Sequence, residues 1–287
     1  MQWVRGMRRN VPPGALHGAA SVLMLMLFIS FAAAADSDSS NVDLCNGKNN
    51  PPLELQIEGC TALLKSAENP TALAIIYNNR GNAYISKGQY DLAIKDYDEA
   101  IKANSNYARA FNNRGVAYQK KGDYDHAIQD LSAAITIDPN YANAFANRAE
   151  TYQKKGDYPT ALKDFDEAIR LQPAMSVLLN ERCWAHAVVG ELPAALADCN
   201  GAIQMTPNDA ASFDSRGLTY LKMKQWELAI ADYNSALRID GKMPTALYGR
   251  GIAKLKKGDL AGGNADVAAA KAAEPNIAGE FSHYGLE

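Results

Sequence analysis

The sequence repeats itself with a period of 34 residues. Asn78–Tyr97 reads NNRGNAYISKGQYDLAIKDY, and the stretches that begin 34 and 68 residues later read NNRGVAYQKKGDYDHAIQDL and ANRAETYQKKGDYPTALKDF. With Ala74 as position 1, six such units run without an insertion to residue 277. A fixed period of this length indicates a stack of similar supersecondary units, each of which packs on its neighbours.

Small residues recur at fixed positions of each unit. Position 27 is alanine in all six units, position 20 is alanine or glycine, and position 8 is Gly, Ala or Cys. With the large residues at positions 4, 11 and 24, these positions form an apolar stripe on each of two helices. Glycine at position 15, as in Gly122, favours the end of the first helix, and Asp123 suits the start of the second. The pattern predicts an antiparallel pair per unit, an A helix and a B helix.

These columns resemble the tetratricopeptide repeat, which has small residues at positions 8, 20 and 27, aromatic residues at 11 and 24, and proline at 32. The resemblance covers residues 74–277 and implies an all-α fold, a right-handed solenoid of helix-turn-helix repeats with a concave, peptide-binding groove. The chain departs from the family at position 4, where Tyr, Phe or Leu replaces tryptophan, and at position 7, where arginine replaces an apolar residue. The six predicted units are 74–107, 108–141, 142–175, 176–209, 210–243 and 244–277.

Residues 1–35 have the layout of a signal peptide. Three arginines precede an apolar run that starts at Ala20 and ends in small residues, with Ala33 and Ala35 as the expected recognition pair. This layout predicts export to the periplasm or outside the cell. The alternative is an uncleaved membrane anchor, for which the run is short.

The segments that flank the repeats are predicted to cap them. Residues 36–52 are polar and predict a loose leader loop, and residues 53–73 predict an N-terminal capping helix. Residues 278–287 predict a C-terminal cap or tail that starts a truncated seventh unit.

The charge balance excludes classes of partner. Without residues 1–35, which contain three arginines and no acid, 26 basic residues face 32 acidic ones, a net charge of about −6. No strong positive field attracts phosphates, so nucleic acid is not the expected partner. No membrane span is expected after the signal is removed.

The four cysteines predict two local disulfides. An even number of cysteines in an exported chain favours disulfides, and four allow three pairings. The predicted pairs are Cys45–Cys60 and Cys183–Cys199. For the second pair the geometry helps, because two residues of an antiparallel hairpin face each other when their position numbers sum to about 32. Cys183 at position 8 and Cys199 at position 24 meet this condition. The alternative is a pair of buried free thiols.

The sequence contains no motif for catalysis. His126, His186 and His283 lack metalloprotease spacing, and neither a nucleophile elbow nor a glycine-rich phosphate loop occurs. We therefore predict no catalytic residue, no metal site, no cofactor and no enzymatic activity.

Two columns predict a structural ladder of ion pairs between helices. Position 7 is arginine and position 23 is aspartate in every unit, and both lie on the same side of the hairpin. Pairing within a unit and pairing between units are both open, and a basic stripe for an acidic ligand is the functional alternative. The residues are Arg80, Arg114, Arg148, Arg182, Arg216 and Arg250 with Asp96, Asp130, Asp164, Asp198, Asp232 and Asp266.

The A-helix face opposite the apolar stripe predicts the partner groove. Units 1 to 3 present a polar, amide-rich surface suited to a peptide backbone: Asn78, Asn79, Asn82, Arg109, Asn112, Asn113, Asn143, Asn147 and Glu150. Units 4 to 6 present a more apolar surface that suits an anchoring side chain: Val177, Trp184, Val188, Leu218, Tyr248 and Ile252. The alternative is that curvature buries Trp184 against the next A helix.

The predicted function is that of an exported, non-enzymatic adaptor that binds a protein or peptide segment in its groove. The alternative is a structural module that self-associates as a homo-oligomer or packs on an envelope component. Both follow from a repeat frame that contains no catalytic constellation.

Overall fold

The computed structural model describes residues 39–286, which form α-helices and connecting turns without a β-strand. The predicted signal peptide lies outside the described residues. The helices are α1 (39–45), α2 (Leu53–Leu63), α3 (Pro70–Ser86), α4 (Tyr90–Ala103), α5 (Ala108–Lys120), α6 (Tyr124–Ile137), α7 (Ala142–Lys154), α8 (Tyr158–Leu171), α9 (Ser176–Val189), α10 (Leu192–Met205), α11 (Ala210–Lys222), α12 (Trp226–Ile239), α13 (Pro244–Lys256), α14 (Leu260–Ala273) and α15 (Ile277–His283).

Helices α3 to α14 are the predicted A and B helices of six units. Each packs on the helix before and after it, and the A helices of adjacent units also touch one another. The B helices of adjacent units make no such contact within the described residues, so the stack curves with its A helices on the inside. The predicted all-α solenoid is confirmed, and its concave face consists of A helices.

The turn between the A and B helices requires a left-handed residue. Gly88, Gly122, Gly156, Gly190 and Gly258 have φ between 70° and 91° at position 15. In unit 5 that position is Lys224, which adopts φ 58° without the freedom that glycine has.

Each unit is held together by a large B-helix side chain against a small A-helix residue. An added Cβ on Gly81 would lie 2.6 Å from the Tyr97 ring, and one on Gly217 would lie 2.8 Å from the Tyr233 ring. Position 8 must therefore be small wherever position 24 is large. In unit 4 the same two positions form the disulfide Cys183–Cys199, which replaces the small-against-large contact with a covalent one.

The second disulfide, Cys45–Cys60, joins α1 to α2. Both predicted pairings are therefore present, and both cysteines of this pair are buried. Residues 39–45 are helical, where the sequence predicted part of a loose leader loop. The apolar contacts of Cys45 with Ile76 and the neighbouring side chains explain the difference, because they give this polar segment a buried face.

The arginine and aspartate columns form bidentate pairs within each unit. In all six, the arginine Nε and Nη2 donate to the two carboxylate oxygens at 2.7 or 2.8 Å. The arginine side chains are 17–21% exposed and the aspartates 7–11%. The aspartate hydrogen bonds raise the pKa of the guanidinium, as at Arg148.

The third guanidinium nitrogen reaches the preceding unit. Nη1 of Arg148 donates to Ser132 at 3.0 Å, and Nη1 of Arg182 donates to Asp166 at 2.8 Å. The ion pairs of the ladder are therefore within each unit, and Arg114 and Arg182 add a second ion pair to the unit before. The remaining acceptors are Thr61 for Arg80, Asp98 for Arg114, Asn200 for Arg216 and Asn234 for Arg250.

The two departures from the family pattern are physically coupled. The guanidinium of Arg114 lies 5.6 Å from the ring of Phe111 at position 4, and Arg80, Arg148 and Arg216 repeat the arrangement. A cation stacked on an aromatic face is stabilised by the ring quadrupole. Arginine at position 7 therefore lies against a ring in the four units that have an aromatic residue at position 4, whereas units 4 and 6 have Leu179 and Leu247 there.

Replacing Arg148 by alanine is expected to lower the free energy of unfolding by about 3 kcal/mol, because it leaves the buried Asp164 carboxylate without its cation. Chemical denaturation measures the change. The matched control is Arg170→Ala, which breaks an exposed pair with Glu167 and should cost less than about 1 kcal/mol. Equal losses for the two variants would contradict a structural role for the ladder.

The Cys183–Cys199 bridge is expected to be replaceable by the pair that unit 3 uses, Ala149 with Phe165. The Cys183→Ala, Cys199→Ala variant should lose about 3 kcal/mol because it loses the cross-link and leaves a gap. Cys183→Ala with Cys199→Phe should recover a large part of that loss, since it restores the small-against-large contact. Denaturant titrations compare the two, and no recovery would show that the bridge does more than fill space.

Candidate functional site

Amide side chains on the A helices of units 1 to 3 form a connected row. Asn147 donates a hydrogen bond to Asn112 at 2.8 Å, and Asn112 donates one to Asn113 at 3.0 Å. Asn113 in turn donates to Oδ1 of Asn78 and of Asn82, each at 3.0 Å. This amide row links three consecutive A helices across the concave face.

The row uses much of its own hydrogen-bonding capacity. Asn79 donates to Asn46 at 3.0 Å, and Asn82 also accepts from Tyr97 at 2.8 Å. Asn78 is 4% exposed, which makes the prediction that it faces a partner wrong. Position 5 faces the neighbouring A helix because adjacent A helices touch, so its amide serves the contact between units.

A cleft of about 460 Å³ lies on the concave face between units 2 and 4. Six of the predicted groove residues line it: Asn112, Asn113, Asn143, Asn147, Glu150 and Val177. Its other walls were not predicted, and they are Tyr141, Ala146, Phe165, Met175, Leu178 and Glu181. Amides and carboxylates thus face apolar and aromatic side chains across one depression.

Three of the cleft residues that were not predicted could have been found from their positions in the repeat. Glu181 occupies position 6, the column of Asn113 and Asn147. Tyr141 and Met175 occupy position 34, the last residue before the next A helix. Residues that precede a helix lie beside its first turn. Position 34 of one unit and position 2 of the next therefore line the same wall of the cleft.

Two carboxylates give the cleft its charge. Glu150 pairs with Lys154 at 3.3 Å on the same helix, and both side chains are about 40% exposed. The Glu181 side chain has neither a hydrogen bond nor an ion pair with the described residues, and it is largely removed from water. Burial, and then the charge of Glu150, raise the pKa of Glu181 to about 7.

The predicted apolar half of the groove is mostly not a free surface. Leu218 is 1% exposed and Ile252 is 7% exposed, and both belong to the core of units 4 to 6. Their assignment to the partner surface is wrong. In these units α11 packs on both neighbouring A helices, α9 and α13, which makes position 9 interior. The B helix of unit 5 is also close to α13, since a Cβ on Gly249 would lie 2.3 Å from the Tyr233 hydroxyl.

Trp184 and Tyr248 are covered by the end of the chain. The Trp184 ring lies 5.2 Å from that of Tyr284 in an edge arrangement, and the Tyr248 ring lies 4.8 Å from that of Phe281. Trp184 also packs on the core cluster that contains Leu218 and Leu221 of the next A helix, as the alternative expected, and Tyr284 adds a contact that was not predicted. Sequence periodicity does not indicate where a terminal segment returns.

Three further predicted residues lie outside the cleft. Arg109 is exposed in unit 2. The carbonyl of Val188 accepts a hydrogen bond from Lys222 at 2.8 Å, which ties unit 4 to unit 5. Asn79 is held against Asn46 of the leader. None of the three contributes to the lining of the cleft.

Asp214 is a buried carboxylate beside the covered half of the groove. Thr245 donates to its Oδ2 at 2.8 Å, whereas its Oδ1 and the Tyr233 hydroxyl have no hydrogen-bond partner within residues 39–286. Burial raises the pKa of Asp214 to about 7. The group therefore titrates near neutral pH in the folded chain.

Neither metal-binding geometry nor a membrane-crossing helix was found in the described part of the chain. Two of the three histidines there have local partners: Nδ1 of His186 lies 2.7 Å from Glu191, and Nδ1 of His126 lies 2.7 Å from Asp123. These contacts account for both side chains as parts of helix ends.

Family models match the repeats directly. A model described as "TPR repeat" matches residues 81–122 and 217–258, and one described as "Tetratricopeptide repeat" matches residues 108–141 and 142–175. A comparison with curated proteins found no significant match.

Solved structures share the fold at low sequence identity. A tetratricopeptide repeat protein from Parabacteroides merdae is 18% identical, with a TM-score of 0.67 over 87% of this chain and 99% of that one. YrrB, described as a TPR protein with an unusual peptide-binding site, is 23% identical with a TM-score of 0.56, over 68% and 98%. PilF of Pseudomonas aeruginosa is 16% identical with a TM-score of 0.62, over 75% and 99%. At these identities the similarity establishes the fold.

The Asp214 carboxylate is expected to make stability fall as pH rises from about 4 to 7. Its folded-state pKa is about 7, against about 4 in the unfolded chain. Between these values the folded state holds a proton that the unfolded state has released, so the free energy of unfolding falls, by an amount on the order of 3 kcal/mol. Asp214→Asn should flatten this slope in denaturant titrations. The exposed-site control Glu68→Gln should leave it unchanged, and an unaltered slope in Asp214→Asn would contradict the assignment.

Proposed function

The chain is a tetratricopeptide repeat protein, and from that premise we propose that it is a non-enzymatic scaffold that binds a protein segment on its concave face. Solenoids of this kind use their extended concave surfaces for binding. The proposal assigns the segment to the cleft between units 2 and 4. It needs no catalytic group, since the surface only has to position and hold a partner.

The cleft is the observation that carries the proposal. It is an open depression in which amides that accept and donate lie opposite apolar walls. An extended backbone suits the amides, and its alternate side chains suit Tyr141, Met175 and Val177. The partly exposed amides are those of Asn113, Asn143 and Asn147, whose remaining donors and acceptors are available to a ligand.

The carboxylates select a basic partner. Glu150 and Glu181 share the cleft, and the nearby Lys154 pairs with Glu150 and makes no ion pair with Glu181. A lysine or arginine side chain in that position would relieve the repulsion between the two acids and neutralise a largely buried charge. The proposed ligand is therefore an extended segment with one basic side chain next to an apolar one.

The relatives support a binding role at the level of the fold. YrrB, which shares the fold, is described as having an unusual peptide-binding site. We carry over from it only the use of a repeat surface for a peptide. The acidic cleft of this chain is argued from its own residues.

We also propose that the protein works in an oxidising compartment, the periplasm or the exterior of the cell. Two disulfides support this, because cytosolic thiols are kept reduced, and the basic and apolar layout of residues 1–35 supports it independently. N-terminal sequencing of the protein from fractionated cells should find a start near Asp36. An intact Met1 in the cytosolic fraction would refute the proposal.

Short lysine-containing peptides are expected to bind the disulfide-bonded chain, and acetylation of the lysine should weaken binding at least about tenfold. The probe is a fluorescent set of nonapeptides in which each sequence exists with free and with acetylated lysine, and anisotropy gives the affinities. Glu181→Gln should produce a similar loss. Glu167→Gln removes a charge outside the cleft and should produce none.

The affinity should also rise between about pH 6 and pH 8, since Glu181 ionises near pH 7 in the free chain and only its charged form attracts a cation. An affinity that is unchanged by acetylation, by Glu181→Gln and by pH would contradict the assignment to this cleft. A mass that increases with concentration, without peptide binding, would favour self-association.

A further inference from the structure

The C-terminal segment, residues 277–286, lies back along the concave face. It consists of the seven-residue helix α15, Gly285 with φ 75°, and Leu286, whose N–H donates to the carbonyl of Phe281. Tyr284 reaches Trp184, which belongs to α9 of unit 4. The segment follows unit 6, so it runs back over two units.

Aromatic and apolar contacts hold this segment. Phe281 is 1% exposed and lies against Tyr248, and its ring is 5.8 Å from that of Tyr284. Leu286 lines a second, smaller cleft with Leu221 and Trp226. Within the described residues no hydrogen bond joins the C-terminal segment to α9, α11 or α13, so its docking is apolar.

A segment that only capped the last unit would not need to extend to unit 4. To cover the last apolar face of a solenoid, a helix has to pack only on the helices of the last unit, here α13 and α14. Phe281 does that, since it contacts Tyr248 of α13. Tyr284 goes further and places an aromatic ring on unit 4, as a ligand in the groove would.

Units 4 and 5 also contain three buried polar atoms without a hydrogen-bond partner among the described residues. Asn180 Oδ1, Asp214 Oδ1 and the Tyr233 hydroxyl are buried without a hydrogen-bond partner in the part of the chain that the structure describes. All three belong to units 4 and 5, and the charge of Asp214 acts on Tyr284. Tyr233 lies in the core between helices, so Asp214 is the group of the three whose unpaired oxygen is connected with the C-terminal segment, through its charge on Tyr284.

We propose that the concave face of units 4 to 6 is a second binding surface, which takes a short helix with two aromatic residues three positions apart, and that the C-terminal segment is its displaceable resident ligand. The spacing is that of Phe281 in α15 and Tyr284, the residue directly after the helix, whose rings lie 5.8 Å apart. This surface is separate from the cleft of units 2 to 4, so the inference stands or falls independently of the function proposed there.

Displacement is physically accessible. An isolated helix of seven residues is unstable in water, so α15 exists only while it is docked. Tethering gives the segment an effective concentration of roughly millimolar, which a free competitor must exceed or outbind. A partner segment that also donates a hydrogen bond to Asp214 would have a contact that the resident lacks.

The test compares three full-length, disulfide-bonded chains: wild type, Tyr284→Ala and, as the matched control, His283→Ala, whose side chain is exposed. The probe is a fluorescent peptide with the sequence of residues 276–286, and anisotropy gives its affinity. Tyr284→Ala frees the surface and should bind the probe at least about tenfold more tightly than wild type and His283→Ala do. A probe with alanine in place of both aromatic residues should not bind any of them.

Hydrogen exchange on the wild-type chain provides a second measurement that needs no variant. A displaceable segment opens locally, so the amides of α15 should exchange at least about a hundredfold faster than those of α13. Exchange of α15 only together with α13 would identify a permanent cap and overturn the proposal, as would equal probe affinities for the three chains. A crosslink from residue 284 to α9 of a differently labelled chain would show that the occupant comes from a second copy, and would overturn its assignment within one chain.

Discussion

The solenoid depends on the contact between a large B-helix side chain at position 24 and a small A-helix residue at position 8. This contact sets the distance between the two helices, since a Cβ on Gly81 would lie 2.6 Å from the Tyr97 ring. Once the distance is fixed, positions 4, 11, 20 and 27 close around it, and the remaining apolar edge must pack on the next unit. Unit 4 meets the same constraint with Cys183 and Cys199, whose bridge spans the gap that a ring fills elsewhere.

The ion-pair ladder fixes how the helices of that packing are aligned along their length. Apolar contacts are non-directional, whereas a bidentate guanidinium fixes the A helix of a unit against its own B helix and, through Nη1, against the unit before it. The aromatic residue at position 4 lies against the same guanidinium, as Phe145 does with Arg148. An arginine that breaks the family pattern is therefore part of the frame, which leaves the concave face to differ between units.

Periodicity predicted what depends on one hairpin, and it failed where two or more units meet. The helix pairs, the turn glycines and the partners of Arg148 or Cys183 follow from positions within one unit and the unit before it. The placement of Leu218 and Ile252 depends on how closely successive A helices approach, which the 3.6-residue repeat of one helix does not contain. The cover over Trp184 depends on the path of residues 277–286, which no repeat describes. The groove prediction was thus useful in units 2 to 4, where six of its residues line the cleft.

The two halves of the concave face differ in how the polar groups between adjacent A helices are paired. In units 1 to 3 the polar groups between A helices hydrogen-bond one another through the amide row. The surface above them can therefore stay exposed without leaving a buried polar group unpaired. In unit 5 the corresponding position is Asp214, whose Oδ1 has no partner in the described residues, and an aromatic segment covers the region. A buried acid that titrates near neutral pH is a poor choice for a surface meant only to pack. One of its oxygens accepts from Thr245 of the next A helix, as the amides do between units 1 to 3, which leaves the other for a hydrogen-bond donor that the described chain does not supply.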